Sequence, residues 1–380
     1  MRKKWSLIVP ATLCIAMTIG ACAKTEEKPT FTGDKTEIPA YQGNLDVIIP
    51  AAYSNVADLN LEPGTYISIL GKDKNSAYWK NVKKGVEQAE KDLNAALGYK
   101  GEDRIKITFN APDGEDIDEQ VNILDEELSR YPDVIGIASI DEDAYNVQFD
   151  SAAENGIPII ALDSGNQYHG IQCTIKTDNV EAARTGAYKL ANSIQDEGEL
   201  LLVVWDSNSE TAKERMNGFL SEIQETYPNV SVVETIFCDK LEETKKMIAE
   251  EDETSEIKAE SLSDEDVIEY YLEKHPNIKG IFGTNADATQ LALLALQKNE
   301  KTEDIVLMGF DAGKEQLDAL EKGEIQGLVV QNPFGIGYAS VVGAARTVLQ
   351  IGNEAVVDTG YVWVTPENME EEQYQNMLYR

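Results

Sequence analysis

The sequence has 380 residues, a formal net charge of −35, and 42% hydrophobic and 27% charged residues. That length exceeds the roughly 250–300 residues at which one core stops growing, so two lobes with separate cores are expected, and the composition excludes disorder over most of the chain. A field of this sign repels phosphate backbones and anionic head groups, which excludes nucleic acid as a partner.

Arg2, Lys3 and Lys4 precede an uncharged stretch, residues 5–19, followed by Gly20, Ala21 and Cys22. A charged start, an apolar middle and a small-residue exit read as a signal peptide over residues 1–21. A short membrane anchor is the weaker reading, because Pro10 interrupts the stretch and a polar segment follows at once. Ile19-Gly20-Ala21-Cys22 resembles the bacterial lipobox, which implies that Cys22 is acylated and tethers the protein to the outer side of the cell membrane. Residues 22–63 then read as a flexible tether, since residues 24–40 are rich in Lys, Glu, Thr and Pro and no helical period appears. Of the four cysteines, Cys14 leaves with the signal, and Cys173 and Cys238 read either as a disulfide or as two buried thiols.

The folded part is expected from residue 64 or 65. Residues 66–70 read as a strand; Asn75 or Ser76 caps a helix with the apolar face Val82, Val86, Ala89, Leu93 and Leu97, ended by Gly98. A strand at 105–109, a helical stripe of Ile117, Val121, Leu124 and Leu128, a strand at 134–140, a short helix ending at Gly156 and a strand at 157–162 follow. A second series has a strand at 200–204, a helix at 212–227, strands at 230–236 and 280–283, a helix at 288–297 and a strand at 305–310. Strands alternating with helices of this length require right-handed crossovers, so the fold class is α/β, two lobes each with a parallel sheet flanked by helices. The acidic, aromatic-poor residues 240–266 read as an added helix and loop on a solvated surface.

Ligands of open α/β sheets sit beyond the carboxyl ends of the strands. Those ends carry Lys72, Asp73, Asn75, Ser76, Tyr78 and Trp79; Asp163 and Ser164; Asp178 and Asn179; Trp205, Asp206, Ser207 and Asn208; Asn285; Asp311; and Gln331 with Asn332. Any single Asp, Asn or Ser there is explained as well by helix capping. The whole set points to a polyhydroxylated ring: carboxylates accept from adjacent hydroxyls, amides donate and accept, a guanidinium supplies a fork of donors, and aromatic faces meet the apolar side of a sugar.

Seven segments, in order, resemble the type I periplasmic sugar-binding proteins of the ribose/galactose kind, the solute receptors of ABC importers. They are Asn75-Ser76-Ala77-Tyr78-Trp79, residues 157–163, Thr177-Asp178-Asn179, residues 212–219, residues 280–285, Gly309-Phe310-Asp311, and Val330-Gln331-Asn332-Pro333. The resemblance implies that Tyr78 and Trp79 are aromatic walls, that Asp163 grips hydroxyls from the first lobe, and that Arg215, Asn285, Asp311 and Gln331 reach in from the second. Asn75, Ser76, Ser164, Asp178 near the hinge and Trp205 form a second tier of candidates. It implies lobes of residues 64–176 with 332–357 and 177–331 with 358–380, crossed near Lys176, Gln331 and Asp358 and closing as a hinge. The expected ligand is a monosaccharide or related polyol, the receptor a monomer, and the downstream partner an ABC transporter permease or, alternatively, a membrane sensor kinase or chemoreceptor. Ser164 departs from sugar receptors that place arginine there, and Phe237 and Cys238 are ambiguous counterparts of a second-lobe aromatic, for which Trp205 is a substitute.

An enzyme is the main rival. Only His169 and His275 are present, with no nucleophile elbow, phosphate-binding glycine loop, zinc spacing or alternating calcium loop, so neither catalysis, a cofactor nor a metal is expected. A DNA-binding regulator is excluded by the signal and tether at the N-terminus and by the charge.

Overall fold

The structure is a computed structural model and describes residues 38–251 and 258–379. The signal peptide, Cys22 and the first part of the expected tether lie outside the described residues.

The remainder of that tether is a correction. Helix α1 (Gln42–Asp46) and a 3-10 turn at Ala51–Tyr53 begin a strap whose Leu45, Ile48, Tyr53, Leu59 and Leu61 are all buried in the core of the first lobe. These side chains follow neither a helical nor a strand period, because the strap has almost no regular structure. Burial holds it, at roughly 1.5–3 kcal/mol for each large apolar side chain, together with hydrogen bonds from Asn44 to Asn332 at 3.0 Å and from the Tyr53 hydroxyl to Asn353 at 3.1 Å.

The first lobe continues with β1 (Tyr66–Leu70), α2 (Ala77–Leu97), β2 (Lys106–Asn110), α3 (Ile117–Leu128), β3 (Val134–Ile137), α4 (Asn146–Glu154), β4 (Ile159–Leu162) and β5 (Ile171–Lys176). The chain then crosses. The second lobe holds α5 (Asn179–Ser193), β6 (Gly198–Val204), α6 (Glu210–Thr226), β7 (Val230–Phe237), α7 (Leu241–Glu251), α8 (Asp264–Lys274), β8 (Ile278–Gly283), α9 (Ala286–Lys298), β9 (Val306–Phe310), α10 (Lys314–Glu321) and β10 (Gly327–Gln331). Helix α11 (Pro333–Val348) and β11 (Val356–Asp358) return to the first lobe, and β12 (Tyr361–Val364) with α12 (Glu372–Gln375) follows.

The sheet orders are β11-β5-β4-β3-β1-β2 and β12-β10-β9-β8-β6-β7. All pairings between named strands are parallel except β10 with β12, an antiparallel edge that departs from the purely parallel expectation. Both faces of each sheet are covered, giving two apolar clusters per lobe. The order 2-1-3-4-5 recurs in both lobes, so each has a switch point beside its first strand, between β1 and β3 and between β6 and β8.

Residues 240–266 are also less detached than their acidity suggests. In α7, Leu241 is buried, and the Lys245 ammonium is held by Glu242 and Asp264, each at 2.7 Å. Helix α8, absent from the sequence reading, buries Val267, Ile268, Tyr271 and Leu272 under an acidic first turn.

Helix α11 is seated by glycine. A Cβ on Gly85 of α2 would lie 2.0 Å from the Phe334 carbonyl oxygen, and one on Gly337 of α11 would lie 1.9 Å from that of Val82. The two backbones touch, so no side chain fits between them. Gly337→Ala is expected to lower stability by at least the 1–3 kcal/mol typical of about one methyl of overpacking, read as a drop in the urea midpoint; an unchanged midpoint would show that the helices part freely.

Candidate ligand-binding cleft

The carboxyl ends of the central strands of both sheets converge on one cleft of about 350 Å³ between the lobes. At its heart are two aspartates in equivalent places. Asp163 follows β4 and Asp311 follows β9, with φ of 59° and 75°, and each donates its N–H at 2.8 Å to the next strand over, to Ile175 and to Val329. The left-handed turn lifts each carboxylate off the end of its sheet and into the cleft from opposite lobes.

Each carboxylate is then fixed by neighbours. The Tyr78 hydroxyl donates to Asp163. Asp311 accepts from Gln331 Nε2 at 2.8 Å and from the Ala286 N–H at 3.1 Å, and Gln331 Oε1 accepts from the Thr177 hydroxyl at 2.9 Å. Burial pushes the Asp311 carboxyl above the usual range even though Arg215 and Gln331 pull it down. Arg215 is buried, with Nε on Asn179 Oδ1 at 2.9 Å, Nη1 on the Thr284 carbonyl at 2.8 Å, and Cζ 4.3 Å from the centroid of the Phe310 ring. Its remaining N–H groups are available to a ligand.

Of the other candidates, Ser76, Tyr78, Trp79, Trp205, Asn285 and Gln331 line the cleft. Ser76 caps α2 through the Tyr78 N–H, and Asn285 spends its Oδ1 capping α9, so Asn285 offers a ligand its NH₂ group. Trp79 is mostly core: it is 4% exposed and packs against Gly71, where a Cβ would lie 2.9 Å from its ring. Tyr78, in contrast, packs against the cores of both lobes.

Three second-tier candidates lie elsewhere. Asn75 is exposed and binds Asp113; Ser164 is fully buried, away from the cleft lining; Asp178 caps α5 by accepting from the Glu181 N–H at 3.0 Å. A side-chain bond, burial and helix capping, respectively, account for their positions.

Others were missed or left unassigned. Lys72 is 5% exposed, lines the cleft, and has no hydrogen bond or ion pair to any described residue. Glu115 and Asp287 also line it, and neither is placed there by a motif. The lining thus carries six carboxylates, Asp73, Glu115, Asp163, Asp206, Asp287 and Asp311, against the two cations Lys72 and Arg215. Among the described residues no group of three or more His, Cys, Asp or Glu is placed to hold a metal ion. Cys173 and Cys238 are free thiols, with burial pushing each up to about 12.

The lobes are in contact across the cleft. Trp205 Nε1 donates to Glu115 Oε2 at 3.1 Å, the Gly165 N–H donates to Glu210 Oε2 at 2.6 Å, and Lys213 lies 3.4 Å from Glu142. Lys176, at the end of β5, pairs with Glu214 at 2.6 Å and Glu210 at 3.3 Å. Burial alone would push its ammonium down, but the two glutamates outweigh it and hold the pKa above the usual value.

This geometry has relatives. A family model described as "Periplasmic binding protein domain" matches residues 67–352, most of the chain. The chain belongs to the periplasmic binding protein family. Among curated relatives, the ribose import binding protein of Bacillus subtilis is 22% identical over 263 residues, covering 69% of this chain and 75% of that protein. The xylitol-binding protein of Mycolicibacterium smegmatis is 21% identical over 276 residues, 72% of each chain. A carbohydrate transporter solute binding protein from Agrobacterium radiobacter, solved with D-arabinose, superposes with a TM-score of 0.68 at 27% identity, covering 83% of this chain and 98% of its own. An Agrobacterium vitis solute binding protein bound to alpha-D-tagatopyranose gives 0.70 at 23% identity, with coverage of 83% and 99%. This periplasmic binding protein therefore has the type I fold that its segments resemble.

Crowding of carboxylates has a measurable consequence. Burial, then Glu115, Asp311 and Asp73, push Asp287 from 3.8 up to about 6. Its side chain still faces cleft water, so screening limits the energy involved. Because the folded pKa is raised, the stabilising contribution is complete below about pH 4 and is lost as pH rises through about 6. The melting temperature of Asp287→Asn should therefore gain on that of wild type as pH is raised through this window; a constant difference would show that the crowding is absent.

Proposed function

We propose that this periplasmic binding protein is an extracytoplasmic receptor that captures a small sugar or polyol by closing its lobes and hands it to an ABC transporter permease. The observation that carries the reading is the pair of aspartates, Asp163 and Asp311, presented to one cleft from opposite lobes. A carboxylate is acceptor-only, and two of them facing each other suit a molecule with hydroxyl donors on opposite edges. Asn285 and Arg215 supply donors for its oxygens, and so does Lys72, whose buried ammonium lacks a protein partner among the described residues. The cleft of about 350 Å³, lined by Trp205 and Tyr78, supports a ring-sized ligand. The names of the similar proteins, which bind ribose, xylitol, arabinose or tagatose, support this class without choosing among its members. Three of these four are named as import or transporter binding proteins, which supports a role without catalysis.

Hinge closure is supported by the three crossings after β5, after β10 and between β11 and β12. The lipobox-like Ile19-Gly20-Ala21-Cys22 supports attachment through an acylated Cys22. Among the described residues no helix is long and apolar enough to cross a membrane. Cys22→Ala should release the protein from the membrane fraction, and retention there would reject the anchor.

The test of the function is a thermal-shift panel of pentoses, hexoses and polyols on the mature chain. Ligand at about 100 times its Kd adds roughly 2.7 kcal/mol, so a binder stands out. Silence across the panel rejects a sugar. For the sugar that binds, Asp163→Asn and Lys72→Met are each expected to weaken affinity by about 10- to 100-fold, since each leaves a ligand group without its partner. Calorimetry showing less than about threefold for either would remove that residue from the site.

A further inference from the structure

Glu210 and Glu214 are four positions apart on α6, the spacing that sets two side chains together on one helical face. Each carboxylate bridges two partners with separate oxygens. Glu210 takes the Gly165 N–H on Oε2 at 2.6 Å and the Lys176 ammonium on Oε1 at 3.3 Å. Glu214 takes Lys176 on Oε1 at 2.6 Å and Asn179 Nδ2 on Oε2 at 3.1 Å. Asn179 then accepts from Arg215 Nε on its own Oδ1 at 2.9 Å. Lys176 and Asn179 are 8% and 1% exposed, and neither they nor the two glutamates line the cleft.

These contacts run from the end of β5, in the sheet of the first lobe, to the guanidinium that lines the cleft from the second. The lysine is the link on which the others depend. Two like charges at this helical spacing repel each other, and the ammonium between them keeps both carboxylates turned toward β5. With Glu214 so held, the Asn179 NH₂ is spent on it, and the amide can offer Arg215 only its oxygen. Without the ammonium, Glu214 is free to swing outward and the amide to turn, so that its NH₂ would meet the Arg215 Nε–H, donor against donor. Arg215 would keep the Thr284 carbonyl and Phe310 but would lose the contact that fixes its Nε edge.

We propose that Lys176 is a positioning residue for the ligand: by holding Glu214 it sets the Asn179 amide, and through that amide the direction in which Arg215 presents its N–H groups to the cleft. The inference rests on the cleft being the ligand site. The same ammonium binds Glu210, which meets Gly165 of the first lobe, so the placement of Arg215 draws on both lobes.

The experiment compares wild type, Lys176→Met, Arg215→Lys and the double variant. Lys245→Met is the control, because Lys245 is likewise a buried ammonium between two carboxylates, Glu242 and Asp264, but stands in α7. Affinity is measured by calorimetry for whichever of D-ribose, D-arabinose, D-tagatose and xylitol binds wild type. Hydrogen exchange of the Arg215 Nε–H is followed by NMR in the ligand-free protein, the resonance being identified by its loss in Arg215→Lys. Lys176→Met is expected to bind about tenfold more weakly, to cost less than about threefold when Arg215 is already lysine, and to exchange the Nε–H about tenfold faster. Lys245→Met is expected to match wild type in both readings. Binding by Lys176→Met within about threefold of wild type, an equal loss in the Arg215→Lys background, or an equal loss from Lys245→Met overturns the proposal, since a merely structural lysine acts without regard to Arg215. If none of the four ligands binds wild type, the sugar reading fails and exchange alone decides this one. Faster exchange in Lys176→Met but not in Lys245→Met then supports the positioning role, and unchanged exchange overturns it.

Discussion

Asp163 and Asp311 hold their backbones in a region that few residues other than glycine occupy, and the arrangement of the cleft follows from that constraint. A left-handed aspartate costs on the order of 1–3 kcal/mol, offset in each case by an N–H bond to the adjacent strand. An extended residue at either place would continue its strand, and its carboxylate would alternate toward one face of the sheet. The turn brings the side chain to the sheet end, where Tyr78, Gln331, Ala286 and Arg215 can reach it. Because the two lobes share a strand order, the same device appears twice, and both carboxylates line the one cleft from opposite lobes.

The cleft is unbalanced in charge, and the imbalance describes its ligand. Asp206 is satisfied locally by Ser209, and Glu115 by the indole of Trp205, so these two carboxylates mainly shape the wall. Asp163 and Asp311 are more deeply buried and are bridged to the rest of the floor by side chains. Lys72 is the exception, a buried cation left for an oxygen that the protein does not provide among the described residues. A neutral molecule rich in hydroxyls serves both kinds of group, donating to the carboxylates and accepting from the ammonium.

Strands and helices with a clean period were legible: the apolar face of α2 and the buried strands β1, β4, β6 and β9 lie within a few residues of where their patterns place them. What escaped had no period or a misleading one. The strap from Leu45 to Leu61 is buried irregularly, and α8 hides four buried residues behind Asp264, Glu265 and Asp266. In the site, residues at strand ends were legible because the topology aims those ends at the cleft. Glu115 and Asp287 sit in a loop and a helix turn whose side chains only the folded lobes bring together. Asn75, Ser164 and Asp178 show the converse: they stand next to strand ends and serve local structure.

The contact between Gly165 and Glu210 divides the risk of mutation unevenly between the lobes. The first lobe contributes only a main-chain N–H, which every exchange except one to proline keeps, while the second contributes a carboxylate that one substitution deletes. A Cβ on Gly165 would fall 2.0 Å from that carboxylate, so the first lobe can lose the contact only by gaining bulk. The contact can therefore be retuned in small steps through α6, where Glu210 and Glu214 also hold Lys176, whereas any side chain added at Gly165 pushes the Glu210 carboxylate aside. Variation in how tightly the two lobes are joined is then to be sought along that helix.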